Sequence, residues 1–246
     1  MNKLSAPPPA PRGFTLVELL VVAGLIALLA ALVTPAVIRA RSAARNAAID
    51  VEIDLLHMAM MNYRNEYGSF PPSSSEIAVG TPMARHLQRV FPRCDVATHL
   101  PNVVSAGGAA ITPQNALVSW LRGYTLDPTS PLLPQASRRK LFDFDQARVA
   151  GGYAPAGRAN SPYIYIDSTQ YGTVASPTQF VVGSGTYRAQ TQVLSSGTVF
   201  FNPDTFQILC AGLDGSFGLL PTDPVANDDL SNFWRGTREQ HAAANQ

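Results

Sequence analysis

The chain has few of the residues from which disulfide frameworks and metal centres are built. Only two of its 246 residues are cysteines, Cys94 and Cys210, and neither lies in a CxxC or metal-ligand spacing. They are compatible with one bridge outside the cytoplasm or with two unpaired, partly buried thiols. The four histidines are scattered along the chain and form no HExxH pair.

Motifs that would indicate catalysis are also missing. No glycine-rich phosphate loop stands between a predicted strand and a predicted helix. The segment Gly183-Ser184-Gly185 lacks the nucleophile-elbow pattern and is typical of a turn after a strand. The sequence therefore predicts a protein that is not an enzyme.

Positive charge is scarce outside the N-terminal region. Residues 1–45 hold five of the 18 basic residues and one of the 17 acidic ones, so the remainder has a net charge of about −3. Nucleic-acid binding depends mainly on lysine and arginine side chains that neutralise phosphates. A nucleic-acid partner is therefore not expected.

Charge is also absent from one long apolar run near the N-terminus. No ionisable residue lies between Leu19 and Ile38, and about 20 apolar residues suffice for a helix to cross a bilayer. Glu18 stands at the start of this run, where an ionised side chain is costly without a partner. A secretory signal peptide would have a shorter apolar region, followed by a cleavage site of small residues. Here the apolar run is longer, and the small residue Gly13 precedes it. A plain signal anchor, in which Glu18 is incidental, is the alternative.

The residues around this carboxylate carry a family resemblance. Arg12-Gly13 followed by Phe14-Thr15-Leu16-Val17-Glu18 resembles the N-terminus of type IV pilins and type II secretion pseudopilins. The resemblance implies cleavage by prepilin peptidase between Gly13 and Phe14, and methylation of the new amino group on Phe14. The charges that flank the apolar run leave its orientation in the membrane undecided. The resemblance implies that the leader is cytoplasmic and that the C-terminal domain is periplasmic.

The same resemblance gives expectations for two assembly residues. The freed amino group of one subunit would pair with Glu18 of a neighbour, because a buried charge without a partner costs several kcal/mol. Pro35 falls where many of these proteins have a helix-kinking proline, and we expect it to bend or locally open the helix.

Beyond Ile38 the helix should continue in amphipathic form. One apolar stripe recurs at helical spacing, at Ile49, Ile53, Leu56, Met60, Tyr63 and Tyr67. A neighbouring stripe contains Ala44, Ala48, Val51, Leu55 and Met58. Together they predict a wide apolar face that packs on a domain core. Gly68, Pro71 and Pro72 should end the helix, and residues 63–72 resemble the helix exit of the major pseudopilin.

The rest of the chain is expected to add a small β-domain. Thr112 as N-cap and Pro113 at the first helical position predict a short helix through Arg122. Four short β-rich runs are predicted as strands, at residues 163–166, 179–182, 198–201 and 206–209. Asn202-Pro203-Asp204-Thr205 should join the last two as a hairpin.

The predicted fold class is α+β, a long N-terminal helix packed on a small antiparallel sheet, as in pilins. The predicted organisation is a leader (1–13), a transmembrane helix (14–38), its amphipathic continuation (39–72), a loop-rich insertion with a short helix (73–160), and a β-sheet with an acidic C-terminal loop (161–246).

The acidic loop contains ligands suited to calcium. Carboxylate and amide oxygens with nearby glycines are what Ca²⁺ prefers, but the spacing here is not that of an EF-hand. Major pseudopilins carry a calcium-binding loop at this place, and Asp214, Asp228 and Asp229 fall on matching positions. Asx turns in a polar loop are the alternative.

The sequence thus predicts a pilin-like structural subunit of a type II secretion pseudopilus. Its expected partners are prepilin peptidase, other subunits, an inner-membrane assembly platform and the lipid bilayer. Two alternatives remain: a type IV or competence minor pilin serving adhesion, motility or DNA uptake, and a membrane-anchored binding domain that never polymerises.

Overall fold

A computed structural model describes residues 15–104, 110–133, 137–182, 185–217 and 228–244. The helices are α1 (Leu16–Tyr67), α2 (Pro82–Val90), α3 (Val96–His99), α4 (Ala116–Leu121) and α5 (Arg238–Ala244). The strands are β1 (Ser75–Glu76), β2 (Ala110–Ile111), β3 (Ile164–Asp167), β4 (Gln179–Val182), β5 (Gly185–Arg188), β6 (Thr191–Leu194), β7 (Gly197–Phe200), β8 (Phe206–Cys210) and β9 (Leu230–Ser231).

The chain divides into two units. The first is Met1–Ala44, and its described residues lie almost entirely in α1 with exposed side chains. Among the described residues, α1 is the one helix long and apolar enough to cross a membrane. The second unit is Arg45–Gln246 and contains both hydrophobic core clusters in full. A unit with its own core can in principle fold alone.

The helix α1 supplies the main core of the second unit. Five of the six residues of the first predicted stripe are buried, and these are Ile49, Ile53, Leu56, Met60 and Tyr63. They share a cluster with Trp120 of α4 and with Tyr163 and Tyr165. The predicted packing of an amphipathic helix on an antiparallel sheet is confirmed.

The second stripe does not pack in this core. Val51, Leu55 and Met58 are 60%, 51% and 61% exposed, and Ala44 and Ala48 are exposed as well. The expected wide buried face is therefore wrong. The second unit covers α1 on one side only, and its other apolar side faces outward.

The end of α1 follows the sequence prediction. The helix stops at Tyr67, and Gly68 adopts a φ of +80°, the left-handed conformation common after a helix C-terminus. The backbone carbonyls of the two prolines that follow are buried, and each accepts a hydrogen bond from an aromatic side chain. Tyr165 Oη donates to the carbonyl of Pro71 at 2.8 Å, and Trp120 Nε1 donates to that of Pro72 at 3.0 Å.

The central sheet has three antiparallel strands in the order β3–β8–β9. Ile164 pairs with Leu209, and Cys210 pairs with Leu230. Alternate residues from Tyr163 into β3 join different cores: Tyr163 and Tyr165 lie in the α1 cluster, whereas Ile164 and Ile166 lie in a second cluster. The sheet is thus buried on both faces, which explains why its strands lack polar alternation.

The predicted hairpin between the last two strand runs is wrong. The residues from Asn202 to Thr205 do form a turn, but β7 pairs with β6, and β8 pairs with β3 and β9. A two-residue loop, Ser195-Ser196, closes the β6–β7 hairpin more tightly. The buried side chain of Gln207 joins this hairpin to β8 by donating to the carbonyls of Gln190 and Phe201.

The insertion contains more helix than predicted. Three helices, α2 to α4, lie within its described residues, and Thr81 caps α2 with its side chain. The helix α4 begins at Ala116 rather than after Thr112, because Asn115 Oδ1 accepts from the Thr112 amide and closes a turn there. Both cysteines are buried and free, so the two-thiol alternative is confirmed.

Candidate functional site

The N-terminus of α1 is closed by a reciprocal pair of side chains. The Thr15 amide and hydroxyl donate to Glu18 Oε2 at 2.8 and 3.0 Å, and the Glu18 amide donates to Thr15 Oγ1 at 3.2 Å. This is a capping box, with a threonine at the N-cap and a glutamate three residues on. Sequence reasoning missed this cap, although the pattern T-x-x-E at residues 15–18 signals it.

Glu18 therefore has a local function in its own chain. Its carboxylate orders the first turn of α1, and the Glu18 side chain is exposed to solvent. Pairing with the amino group of a neighbouring subunit stays a prediction. Gly13 and Phe14, the predicted processing residues, lie outside the described residues.

Pro35 lies inside α1, and the backbone is helical on both sides of it. Proline has no amide hydrogen to donate to the carbonyl four residues earlier. The preceding Thr34 donates its hydroxyl to the carbonyl of Ala30 at 2.7 Å. The predicted assembly role of Pro35 stays a prediction.

The Asp228 carboxylate joins the two described ends of the C-terminal loop. Asp228 Oδ2 accepts from the amides of Leu213 and Asp214, the latter at 2.9 Å. Gly212 has a φ of +55°, and a Cβ there would lie 2.2 Å from the Asp228 carbonyl oxygen. A side chain at position 212 would therefore prevent the close approach that these hydrogen bonds need.

These contacts use oxygen atoms that a cation would otherwise share. Asp214 Oδ1 accepts a hydrogen bond from the Ser216 amide at 2.7 Å. Asp229 is buried, and its backbone carbonyl accepts a hydrogen bond from the backbone amide of Arg238. Within the described ranges, no three His, Cys, Asp or Glu side chains are placed to hold a metal ion. Residues 218–227, which complete the loop, lie outside those ranges. Calcium binding therefore stays a prediction.

A polar cluster around Glu52 was not predicted. Glu52 lies on α1 and forms a two-pronged ion pair with Arg148, whose Nη1 donates to Oε1 at 2.8 Å. Tyr153 donates to Oε1 and Tyr163 to Oε2, so the carboxylate accepts four hydrogen bonds. Arg148 also lies over the Tyr153 ring, 4.4 Å from its centroid.

The Glu52 cluster attaches α1 to two other parts of its unit. Burial opposes ionisation of Glu52, but hydrogen bonds from Arg148, Tyr163 and Tyr153 outweigh it and hold its pKa below the ordinary value of 4.5. Burial and the neighbouring carboxylate raise the pKa of Tyr153 to about 12, so its hydroxyl remains a donor. The cluster therefore orients the insertion and β3 against the helix.

We expect Glu52→Gln to lower the free energy of unfolding of residues 45–246 by about 2 kcal/mol at pH 7. This loss lies between those measured when exposed and fully buried ion pairs are broken, because the Glu52–Arg148 pair is partly buried. The pKa of Glu52 is depressed in the fold, so its contribution is complete above about pH 4.5 and is lost as the pH falls through the folded value. The difference between parent and variant should therefore shrink in acid. Denaturant unfolding between pH 7 and pH 3 measures it.

Glu66→Gln is the matched control, since Glu66 is also on α1 but its ion pair with Arg139 is more exposed than that of Glu52 with Arg148. The Glu66→Gln substitution should lower the free energy of unfolding by less than about 0.5 kcal/mol. Equal losses in the two variants, or a Glu52→Gln loss independent of pH, would contradict the assignment.

Comparison with known proteins gives one match at the N-terminus. Residues 10–34 match the family model of the prokaryotic N-terminal methylation motif. No curated protein and no solved structure matches the chain. The matched segment contains the capping box and the first part of the apolar helix, which fits membrane anchoring. It supports processing by prepilin peptidase and assembly with other pilin subunits, and it is typical of structural subunits. Residues 10–34 thus mark a prepilin segment like that of type IV pilins and pseudopilins at the start of this chain.

Proposed function

We propose that this chain is a structural subunit of a type II secretion pseudopilus. Prepilin peptidase would remove residues 1–13 and methylate Phe14, and the mature subunit would enter a periplasmic filament through α1. The observation that carries the proposal is the methylation motif at residues 10–34, followed by an apolar helix with exposed side chains.

The exposed side of α1 in the second unit supports assembly. Large apolar patches on a protein surface usually mark contacts with other molecules. Val51, Leu55 and Met58 form such a patch on the helix that also carries the motif. A neighbouring subunit that packed along α1 would remove these side chains from water.

The choice of a secretion pseudopilus rests on two resemblances. The helix exit at residues 63–72 and the Ala211–Gly215 turn are similar to those of major pseudopilins. A minor pilin or tip subunit is the alternative that the long insertion would suit. In either case the leader would lie in the cytoplasm, the second unit in the periplasm, and an inner-membrane platform would assemble the filament.

We also retain calcium binding as a proposal. Asp228 already draws the two ends of the loop together, and Asp214 lies at the adjoining turn. Residues 218–227 would have to supply the remaining oxygen ligands. The resemblance of the loop to that of major pseudopilins is the only support for the ion.

The processing prediction concerns the mature N-terminus. We expect the protein recovered from the native membrane to begin at Phe14, with one added methyl group, because the peptidase recognises the motif. Intact-mass and N-terminal peptide analysis measure this directly. Gly13 should be required, and a bulky Gly13→Leu variant should keep the full-length mass. A parent protein that retained residues 1–13 would favour the non-polymerising anchor instead.

The assembly prediction separates two functions of Glu18. Glu18→Ala removes the charge and the two hydrogen bonds that the carboxylate accepts, whereas Glu18→Gln keeps an acceptor for the capping box and loses only the charge. If charge pairing with a neighbour determines assembly, both variants should be missing from purified filaments while accumulating normally in the membrane. Normal incorporation of Glu18→Gln would show that capping alone matters.

The calcium prediction concerns the stability of residues 45–246. We expect a higher midpoint of thermal unfolding with Ca²⁺ than with a chelator, because a ligand that binds only the folded state stabilises it. Asp214→Asn should abolish the shift, whereas Asp204→Asn, in a distant turn, should keep it. Equal midpoints in Ca²⁺ and chelator for the parent would contradict calcium binding.

A further inference from the structure

A surface groove lies along α1 in the second unit. Its volume is about 440 Å³, and it is open to solvent. Its walls come from α1, from the loop around residues 148–158, and from the C-terminal loop. Its charged lining residues are Arg45, Glu52, Arg148 and Arg158.

The charged side chains of this groove have an excess of arginine. Arg148 is neutralised by Glu52, as described above. Within the described part of the chain, neither Arg45 nor Arg158 has an ion pair. The groove therefore presents two guanidinium groups that no carboxylate of the described structure balances, and such groups bind phosphate oxygens in a two-pronged geometry.

The floor between these arginines is apolar. Val51 and Leu55 are more than half exposed, and Ala48 and Ala156 are exposed beside them. A free inorganic anion would leave this floor in water. A ligand that carries both a phosphate and an apolar portion would cover it.

The position of the groove in the chain limits what can reach it. Arg45 follows the apolar run by seven residues, so chain connectivity keeps it within about 25 Å of Ile38 in any arrangement of the two units. Arg39 and Arg41 lie between them, and basic residues beside a membrane span are attracted to anionic lipid. The most concentrated phosphate near the groove is therefore that of the bilayer surface.

We infer that the groove formed by Arg45, Arg158 and the apolar floor binds the headgroup of an anionic phospholipid. The two guanidinium groups hold the phosphodiester, and Ala48, Val51 and Leu55 contact the glycerol and the first acyl carbons. The inference rests on the membrane anchoring in the proposed function but not on polymerisation. In the anchored subunit, the bound lipid covers part of the apolar stripe on α1.

The test uses residues 45–246, the unit that contains both cores. This unit holds 14 basic and 16 acidic residues, so nonspecific attraction to anionic vesicles is disfavoured. We expect it to sediment with vesicles that contain phosphatidylglycerol and not with vesicles of phosphatidylcholine alone. The double variant Arg45→Gln/Arg158→Gln should bind about thirty-fold more weakly, which corresponds to about 1 kcal/mol for each arginine near an anionic surface.

The matched control is Arg89→Gln/Arg93→Gln, which removes the same charge from two exposed arginines outside the groove. It should stay within about threefold of the parent, since exposed charges beyond a Debye length of about 8 Å are screened. Leu55→Ser should weaken vesicle binding as well. Soluble glycerol phosphate at the same concentration as the lipid should not compete, because it lacks the apolar portion.

Three results would overturn the inference. One is equal binding of the parent to the two kinds of vesicle, and another is equal weakening in the groove and control variants. The third is a groove variant that loses self-association in analytical ultracentrifugation while binding vesicles like the parent, since the groove would then be a contact between copies. A failure here leaves the processing and assembly predictions unaffected, because they depend on residues 13–18.

Discussion

The second unit depends on the burial of one side of α1. Ile53, Leu56, Met60 and Tyr63 are almost completely removed from water, and the sheet and the insertion helices contact this side. Burying large apolar side chains contributes about 1.5–3 kcal/mol each. Because the helix offers two apolar stripes and the unit covers only one, the fold leaves an apolar surface on the outside. The same helix therefore stabilises the unit through its buried side and offers its uncovered apolar side for contact with a membrane or with other subunits.

Three carboxylates show how the chain satisfies charge around this helix. Glu18 caps the first turn of α1 locally, Glu52 accepts four hydrogen bonds from residues far along the chain, and Asp228 accepts two backbone amides that close the C-terminal loop. Each has a partner within its own subunit. For Glu18 this means that a neighbouring subunit would have to compete with, or add to, the capping contact. For Asp228 it means that hydrogen bonds to two backbone amides join the described ends of the loop.

Sequence reasoning was most successful where neighbours in the chain determine structure. The helical spacing of Ile49, Ile53 and Leu56 predicted a helix that packs on the core, and Gly68 marked the end of α1. It was wrong for the Thr198–Phe201 and Phe206–Leu209 hairpin, where the turn formed but each strand found another partner. A good turn sequence specifies a change of direction, whereas pairing also depends on which strands compete. It also missed α2, although Thr81-Pro82 carries a visible N-cap signal.

The sequence by itself determined the prepilin segment, the apolar helix and its amphipathic continuation, because these follow from residues within a few turns of one another. Only the tertiary structure decided which apolar stripe is covered, and it brought Arg148, Tyr153 and Tyr163 to Glu52 from 96 to 111 residues away. The arginines of the groove were likewise assembled by folding, since Arg45 and Arg158 belong to separate segments. Such sites depend on long-range packing, in which many distant partners are sterically allowed and the shared core selects one arrangement.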